Sequence, residues 1–224
     1  REEMQPDRFQ KFAEQVRKDA LKDSDILADL SDENLIEASF DSALTRIKSA
    51  KDTKAKRFRA LCEKYDLPLE VGADFLCNGS SGKIGNDRGN ALNKIVRDLL
   101  DSHPFVKKAE TEVKYPQVSE IVDVLATLED GTRFVIMCQV GLWEGGAQAN
   151  RGDKYVVDSK FRDICETNGD RWGCVVLNPP TFKTMKSKQF NIFRSGYEQK
   201  TLFYPTVLLR YLDDLGTAYG KNPK

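Results

Sequence analysis

The sequence predicts an α/β fold in which a mixed central sheet follows a helical amino-terminal region. Apolar residues recur at helical spacing through residues 1–67 and again from 87 to 102. Two apolar runs, 120–128 and 133–140, are separated only by Glu129-Asp130-Gly131-Thr132, which is typical of a β-hairpin. A further helical pattern then precedes a short apolar strand. That strand can therefore lie parallel to the preceding one through a crossover connection.

The composition limits the chemistry that is possible. The chain has 224 residues, with 35 Lys and Arg balanced by 35 Asp and Glu, five cysteines and one histidine, His103. We interpret His103, before Pro104 at an expected helix end, as structural, which argues against Ser-His-Asp hydrolases and two-histidine metalloenzymes. The cysteines show no paired spacing, which predicts reduced thiols. Because there is no run of membrane length and no signal-peptide pattern, we expect a soluble, cytoplasmic protein with no membrane partner.

The amino-terminal part is charged and helical. Residues 1–70 are predicted to form about three amphipathic helices, separate from an α/β core of residues 71–224. The segment from Asn78 to Lys83 lacks the spacing of a phosphate loop, so we expect a connector and no nucleotide cofactor. A helix at about 87–102 and a first strand at about 110–118 come next.

Asp123 and Gln139 stand out because they lie within otherwise apolar strands. Burying a carboxylate or an amide is costly unless something binds it, so the pair marks a candidate site. A two-residue Asp-Gly turn would place Asp123 opposite Cys138 and Gln139 on the other face. A three-residue loop with Gly131 in the left-handed region would place Asp123 opposite Met137, on the same face as Gln139. Both registers fit the sequence, and so does a structural role in which the two side chains bond to nearby backbone.

The remaining elements complete an alternating pattern. A glycine-rich segment, 141–146, leads into a helix at about 148–167. Residues 172–177 form a continuous apolar run that is typical of a buried strand, and 206–215 are expected to form a closing helix.

This order of helix, three strands, helix and strand resembles the PD-(D/E)xK nuclease superfamily and, within it, the type II restriction endonucleases. Asp123 lies where the family carries an aspartate in its second strand. The third strand has Met137-Cys138-Gln139 where the family has an acid, any residue and lysine, so that acid is missing. The resemblance implies a restriction-endonuclease-like core.

Two flanking segments carry the rest of the resemblance, which covers residues 85–178. In the helix RGNALNKIVRDLL, Asn93 or Lys94 stands where a glutamate is common. The run from Gln139 to Tyr155 resembles a glutamine, glycine-pair and asparagine-arginine run that follows the third strand in some restriction enzymes. The implied function is sequence-specific hydrolysis of double-stranded DNA. A homodimer is expected because cutting both strands of a symmetric site needs two active sites.

Phosphodiester hydrolysis without a histidine base also requires a metal ion on chemical grounds. Mg²⁺ prefers oxygen ligands and keeps several waters. We expect Asp123 to be its main ligand, completed by the carbonyl of Cys138 and the side chain of Gln139. The missing negative charge could come from Glu120, Glu144 or Asp153, of which we favour Glu144 because it lies in a loop.

The remaining candidates are basic or amide side chains. Lys154 is expected to orient the attacking water, and Asn150 and Arg151 lie near an expected helix start, where phosphate binds. A basic strip beyond residue 180 is the expected DNA-facing segment, with Lys183, Lys186, Lys188, Gln189, Asn191 and Arg194 as candidate contacts. The alternative is a catalytically silent nuclease-fold module that binds nucleic acid or a protein. The role of residues 1–70 stays open between packing, dimerisation and a DNA clamp.

Overall fold

The computed structural model of the chain describes residues 6–77, 81–116, 118, 121–142, 153–157, 159–178, 182 and 185–221. Its helices are α1 (Pro6–Leu21), α2 (Ser24–Asp29), α3 (Asp32–Ser49), α4 (Thr53–Lys64), α5 (Leu69–Cys77), α6 (Ser81–Asp101), α7 (Ser159–Thr167), α8 (Ser187–Glu198) and α9 (Pro205–Lys221). Its strands are β1 (Val106–Lys114), β2 (Ile121–Leu128), β3 (Arg133–Gln139), β4 (Arg171–Val176) and β5 (Leu202–Phe203). A π-helical segment covers Asp153–Val157. Within these ranges, no helix combines the length and the apolar character that crossing a membrane requires.

The five strands form one mixed sheet in the order β1-β2-β3-β4-β5. Strands β1, β2 and β3 pair antiparallel, whereas β3, β4 and β5 pair parallel. The parallel step from β3 to β4 passes through α7, as a crossover connection requires. The predicted α/β class, the mixed sheet and the order of α6, β1, β2, β3, α7 and β4 are therefore confirmed.

The hairpin between β2 and β3 has the second of the two registers left open by the sequence. Val124 is paired with Ile136 and Thr127 with Arg133, so Asp123 comes opposite Met137. Gly131 has a φ of 86°, a left-handed conformation that glycine adopts without a Cβ clash. The N–H of Gly131 donates to the carbonyl of Leu128 at 3.1 Å, closing the three-residue loop.

The first strand lies earlier in the chain than predicted. We expected it at 110–118, but β1 begins at Val106, which pairs with Leu128. Most of its side chains are charged and exposed because β1 is an edge strand. An edge strand of this kind carries little apolar alternation, and periodicity therefore locates it poorly.

The predicted helix at 148–167 also differs. Its described part consists of the π-helical segment followed by the shorter α7, and residues 148–152 lie outside the described residues.

A hydrophobic core cluster lies between the sheet and α7. Its buried members are Tyr115, Val122, Leu125, Val135, Met137, Cys165 and Trp172.

The chain divides into two compact units at other points than residue 70. One unit is Ala28–Ala91, and the other combines Arg1–Leu27 with Leu92–Lys224. Helix α1 belongs to the sheet-containing unit because the Phe12 ring packs edge-to-face on four aromatic rings at 5.6–6.3 Å, namely Phe182, Phe190, Phe193 and Tyr197. The buried carboxylate of Asp19 adds a hydrogen bond from the Tyr197 hydroxyl and an ion pair with Arg210.

The helical unit has its own small core. Ala43, Ile47, Ala55, Ala73 and Leu76 are buried in it. Helices α4 and α5 approach closely at Gly72, where a Cβ would lie 2.8 Å from the Cys62 sulfur. Asp52 caps α4 by accepting the N–H groups of Lys54 and Ala55, both at 3.0 Å.

Asp170 joins the beginnings of β3 and β4. Its carboxylate accepts the Tyr115 hydroxyl at 2.6 Å and the N–H and Nε of Arg133 at 2.9 Å each. Burial alone would raise the pKa of Asp170, but the hydrogen bonds from Arg133 and Tyr115 lower it below its ordinary value. This carboxylate therefore stabilises the fold in its charged form.

We expect Asp170→Asn to lower the free energy of unfolding at pH 7 by about 2–3 kcal/mol, because Arg133 loses its buried partner. Since the pKa of Asp170 is lowered on folding, its contribution is present above about pH 4 and is lost as the pH falls through the folded pKa. The gap between wild type and variant should therefore narrow below about pH 4. Urea unfolding at pH 7 and pH 3 measures this, with Asp163→Asn, at an exposed position of α7, as control. A gap that stays constant with pH would contradict the assignment.

Candidate functional site

The hydrogen-bonded ladder between β2 and β3 ends at Asp123. The N–H of Leu128 donates to the carbonyl of Thr132 at 2.9 Å, which makes these two residues a hydrogen-bonded pair. Such pairs recur at every second residue of an antiparallel ladder, so Val124 and Ile136 form another one. The next pair in this series would be Val122 with Cys138. The register between the strands stops before that pair. The N–H of Cys138 donates instead to Oδ2 of Asp123, at 2.8 Å.

The two strands separate at this point because each continues with another neighbour. β2 stays paired with β1 as far as Ile121, while β3 stays paired with β4 as far as Gln139. In a strand, the N–H and C=O of one residue point to the same side. The carbonyl of Cys138 therefore faces the side on which Asp123 lies.

Asn93 of α6 forms the third corner of the site. Its Nδ2 donates to Oδ1 of Asp123 at 3.3 Å, and the residue is 8% exposed. The neighbouring Lys94 is exposed, so Asn93 is the one of the two candidate positions that reaches the carboxylate. The signal in the sequence was an amide within the apolar face of α6, between Leu92 and Val96.

Gln139 and Met137 have different surroundings from Asp123. Gln139 is 5% exposed and follows five buried residues, and its backbone carbonyl accepts the N–H of Leu177 at 3.1 Å. Met137 is 4% exposed and packs in the core cluster with Val135 and Trp172. The position that the sequence resemblance assigns to an acid is therefore occupied by a core methionine.

The cysteine thiols near Asp123 are inert. Burial raises the pKa of the Cys138 thiol well above its usual range, and the negative charge of Asp123 raises it further. The same two causes raise the pKa of Cys174. Because nucleophilic attack and soft-metal binding need the thiolate, these residues contribute backbone and packing instead.

The donor set suits a hard cation. Asp123 offers a carboxylate, Cys138 a carbonyl and Gln139 an amide oxygen, which are ligands that Mg²⁺ accepts together with waters. A carboxylate can accept several bonds at once, so the hydrogen bonds from Asn93 and Cys138 are compatible with a ligand role for Asp123. Among the described residues, no group of three or more His, Cys, Asp or Glu is placed to hold a metal. The favoured additional ligand, Glu144, and the alternative Glu120 lie outside the described residues.

Lys154 lies in the π-helical segment and not in the first turn of α7. Its Nζ is 5.0 Å from the centroid of the Tyr155 ring, and the carbonyl of Tyr155 accepts the indole N–H of Trp172 at 3.3 Å. These contacts fix the segment against β4. Asn150 and Arg151, the predicted phosphate contacts beside it, lie outside the described residues.

The predicted DNA-facing strip corresponds to α8 and the residue before it. Lys186, Lys188 and Asn191 are exposed, whereas Arg194 pairs with Glu198 at 2.8 Å. The side chain of Gln189 accepts the N–H of Lys186 at 3.1 Å, which caps the helix start, so it is engaged within the protein. Lys183 lies outside the described residues.

A cavity of about 440 Å³ lies between α1, α8 and α9. Its lining includes Asp19, Tyr197, Lys200, Arg210 and Tyr211, but none of the residues around Asp123. Asp19 is fully engaged there by Gln15, Lys22, Tyr197 and Arg210, which explains why its pKa is lowered despite burial. We interpret these polar contacts of Asp19 as structural, because they attach α1 to α8 and α9 within the sheet-containing unit.

Comparison with protein-family models, with curated proteins and with solved structures finds no match to this chain.

Proposed function

We propose that this protein is a divalent-metal-dependent, sequence-specific DNA endonuclease with a restriction-endonuclease-like core, acting as a homodimer in the manner of type II restriction enzymes. The observation that carries the proposal is the contact of the Asp123 carboxylate with the N–H of Cys138 where β2 and β3 separate. Asn93 supports the proposal because it holds the same carboxylate from α6.

Each of these residues has a defined role in the proposed reaction. The N–H of Cys138 and the amide of Asn93 orient the Asp123 carboxylate towards the gap between the strands. The Cys138 carbonyl and the Gln139 side chain add neutral oxygen ligands for Mg²⁺. When bound, the ion would supply a Lewis acid for the phosphodiester and an activated water. Lys154 is proposed to orient the water, and Glu144 to add the second negative charge.

The alternative is a catalytically silent module on the same fold that binds nucleic acid or a protein. The specific observation that favours it is Met137, which fills with an apolar side chain the position of the family's acid. One described carboxylate next to neutral ligands would bind Mg²⁺ more weakly than two carboxylates.

Incubation with supercoiled plasmid separates the two functions. The endonuclease should produce discrete fragments in Mg²⁺, no cleavage in EDTA, and binding without cleavage in Ca²⁺. DNA binding in Ca²⁺ with an intact plasmid in Mg²⁺ and in Mn²⁺ would support the silent module. Neither binding nor cleavage, with plasmids that cover all six-base-pair sites, would overturn the proposal.

The exposed lysines at the start of α8 give a further prediction. Replacing Lys186 and Lys188 by Gln should weaken binding to all DNA sequences alike, and should lower the slope of log Kd against log salt by about one unit for each phosphate that the variant no longer neutralises. Fluorescence anisotropy in Ca²⁺ measures this slope. The control replaces Lys107 and Lys108 of β1, which are exposed but lie beside Glu129 and Glu110. An unchanged slope in the α8 variant would show that α8 faces away from DNA.

A further inference from the structure

Positive charge is concentrated at one place in the helical unit. Between residues 46 and 64 the chain has eight Lys and Arg against two acids, although the whole chain is neutral. This stretch covers the end of α3 and all of α4. This stretch therefore carries a local excess of positive charge that the proposed catalytic site does not use.

Part of this positive charge lies on the solvent-exposed face of α4. Lys54, Arg57, Leu61 and Lys64 follow each other at helical spacing on one face, and all four are exposed. The opposite side carries Ala55 and Cys62, which are buried. We call the exposed set the α4 basic face.

Two arginines near the α4 basic face form ion pairs within the protein. Arg46 pairs with Asp52 at 2.8 Å, and Arg59 pairs with Glu63 at 2.9 Å. By contrast, neither Lys54 nor Arg57 forms an ion pair with any residue that the structure describes. Like charges at such spacing repel each other, and a bound polyanion would remove that repulsion.

An exposed ring extends the face. Tyr65 is 60% exposed, and the Nζ of Lys64 lies 5.1 Å from its ring centroid. Leu61 is 41% exposed between the charged residues. A cationic face with an amphipathic ring offers contacts to phosphate and to deoxyribose together.

We propose that the α4 basic face binds the phosphate backbone of duplex DNA, so that the helical unit is a second DNA-binding surface. The inference rests on the proposed function, which supplies DNA as the partner. From Lys54 to Lys64 the helix rises about 15 Å, or about four base-pair steps of B-DNA. The charged members are lysine and arginine without amide side chains between them, which favours contacts that are independent of base sequence.

The first test measures binding to a duplex of arbitrary sequence in EDTA, where no cleavage occurs. The full-length triple variant Lys54→Gln, Arg57→Gln and Lys64→Gln should lower the slope of log Kd against log salt by about two to three units. A matched control replaces two lysines and one arginine at exposed positions of α1, namely Lys11, Arg17 and Lys18. Equal slopes for the triple variant and wild type, or an equal reduction in the control, would overturn the proposal.

The second test uses the unmodified protein. Bound duplex should protect Lys54 and Lys64 from acetylation, measured by mass spectrometry, while Lys11 and Lys18 stay reactive. Protection by an acidic peptide but not by duplex, or protection through self-association without DNA, would overturn the proposal in favour of those partners. Because neither test depends on cleavage, absence of plasmid cleavage alone would contradict the endonuclease and leave the DNA-binding face standing.

Discussion

Asp123→Asn is expected to abolish cleavage of DNA in Mg²⁺ while leaving binding to DNA in Ca²⁺ largely intact. The substitution removes the negative charge proposed to hold the metal, but it changes none of the basic residues proposed to contact phosphates. The loss should therefore appear in turnover and hardly in Kd.

The fold should tolerate this change, since the new side chain keeps most of the geometry. The amide oxygen of asparagine can still accept the N–H of Cys138, and Asn93 can turn its own amide to present an oxygen to the new NH₂ group. We expect the free energy of unfolding to fall by about 1 kcal/mol.

Cleavage rate, Kd in Ca²⁺ and the melting temperature measured on one preparation test the prediction. Asp41→Asn, at an exposed position of α3, is the matched control and should behave as wild type. An Asp123→Asn protein that turns over at nearly the wild-type rate would remove Asp123 from the catalytic site. Loss of activity accompanied by a large fall in melting temperature would reassign Asp123 to the structural role.

Gln139→Ala is expected to lower the cleavage rate by about 10²–10³-fold, the loss typical of a polar group that contacts the reacting centre. Gln139 is buried at the end of β3, one residue after the Cys138 N–H that holds Asp123. If its amide served only as a strand-end hydrogen bond, the same change would instead cost about 1–3 kcal/mol of stability and leave specific activity unchanged.

Gln139→Glu tests the direction of the side chain. It adds a carboxylate where the site has one described acid, so binding of Mg²⁺ should tighten if position 139 faces Asp123. A side chain that points into the core would bury an unpaired charge and destabilise the fold. Melting curves with and without Mg²⁺ distinguish these outcomes, because only a carboxylate near the metal raises the melting temperature in a Mg²⁺-dependent way.

Gln10→Ala, at an exposed position of α1, controls for the loss of an amide elsewhere in the chain. A stable and fully active Gln139→Ala protein would exclude Gln139 from the site. Applying the Asp123 and Gln139 substitutions together adds information, since residues that hold one metal should show strongly non-additive effects.

Local patterns in the sequence were sufficient for most of the fold. The apolar run from Phe134 to Cys138 predicted a strand covered on both faces, and β3 is buried along that run. Asp130-Gly131 predicted the hairpin, and the alternation of helix and strand predicted the α/β class. These features depend on neighbours within a few residues, so the sequence contains their causes.

Other features depend on residues distant in the chain, and only the tertiary structure decided them. Helix α1 joined the sheet-containing unit because Phe12 packs on aromatic residues more than 160 positions away. Asn93 met Asp123, 30 positions further along the chain, only because the fold brings α6 next to β2.

The sequence by itself determined that Asp123 and Gln139 lie in neighbouring buried strands, because apolar periodicity and one Asp-Gly turn specify the hairpin. It left two registers open, since moving from a two-residue to a three-residue loop exchanges the face of every side chain in β3. The folded chain chose the register with Asp123 opposite Met137, in which Met137 packs in one core cluster with Trp172 and Cys165. That choice follows from the packing of α7 and β4 against β3, contacts that form only after distant segments have met.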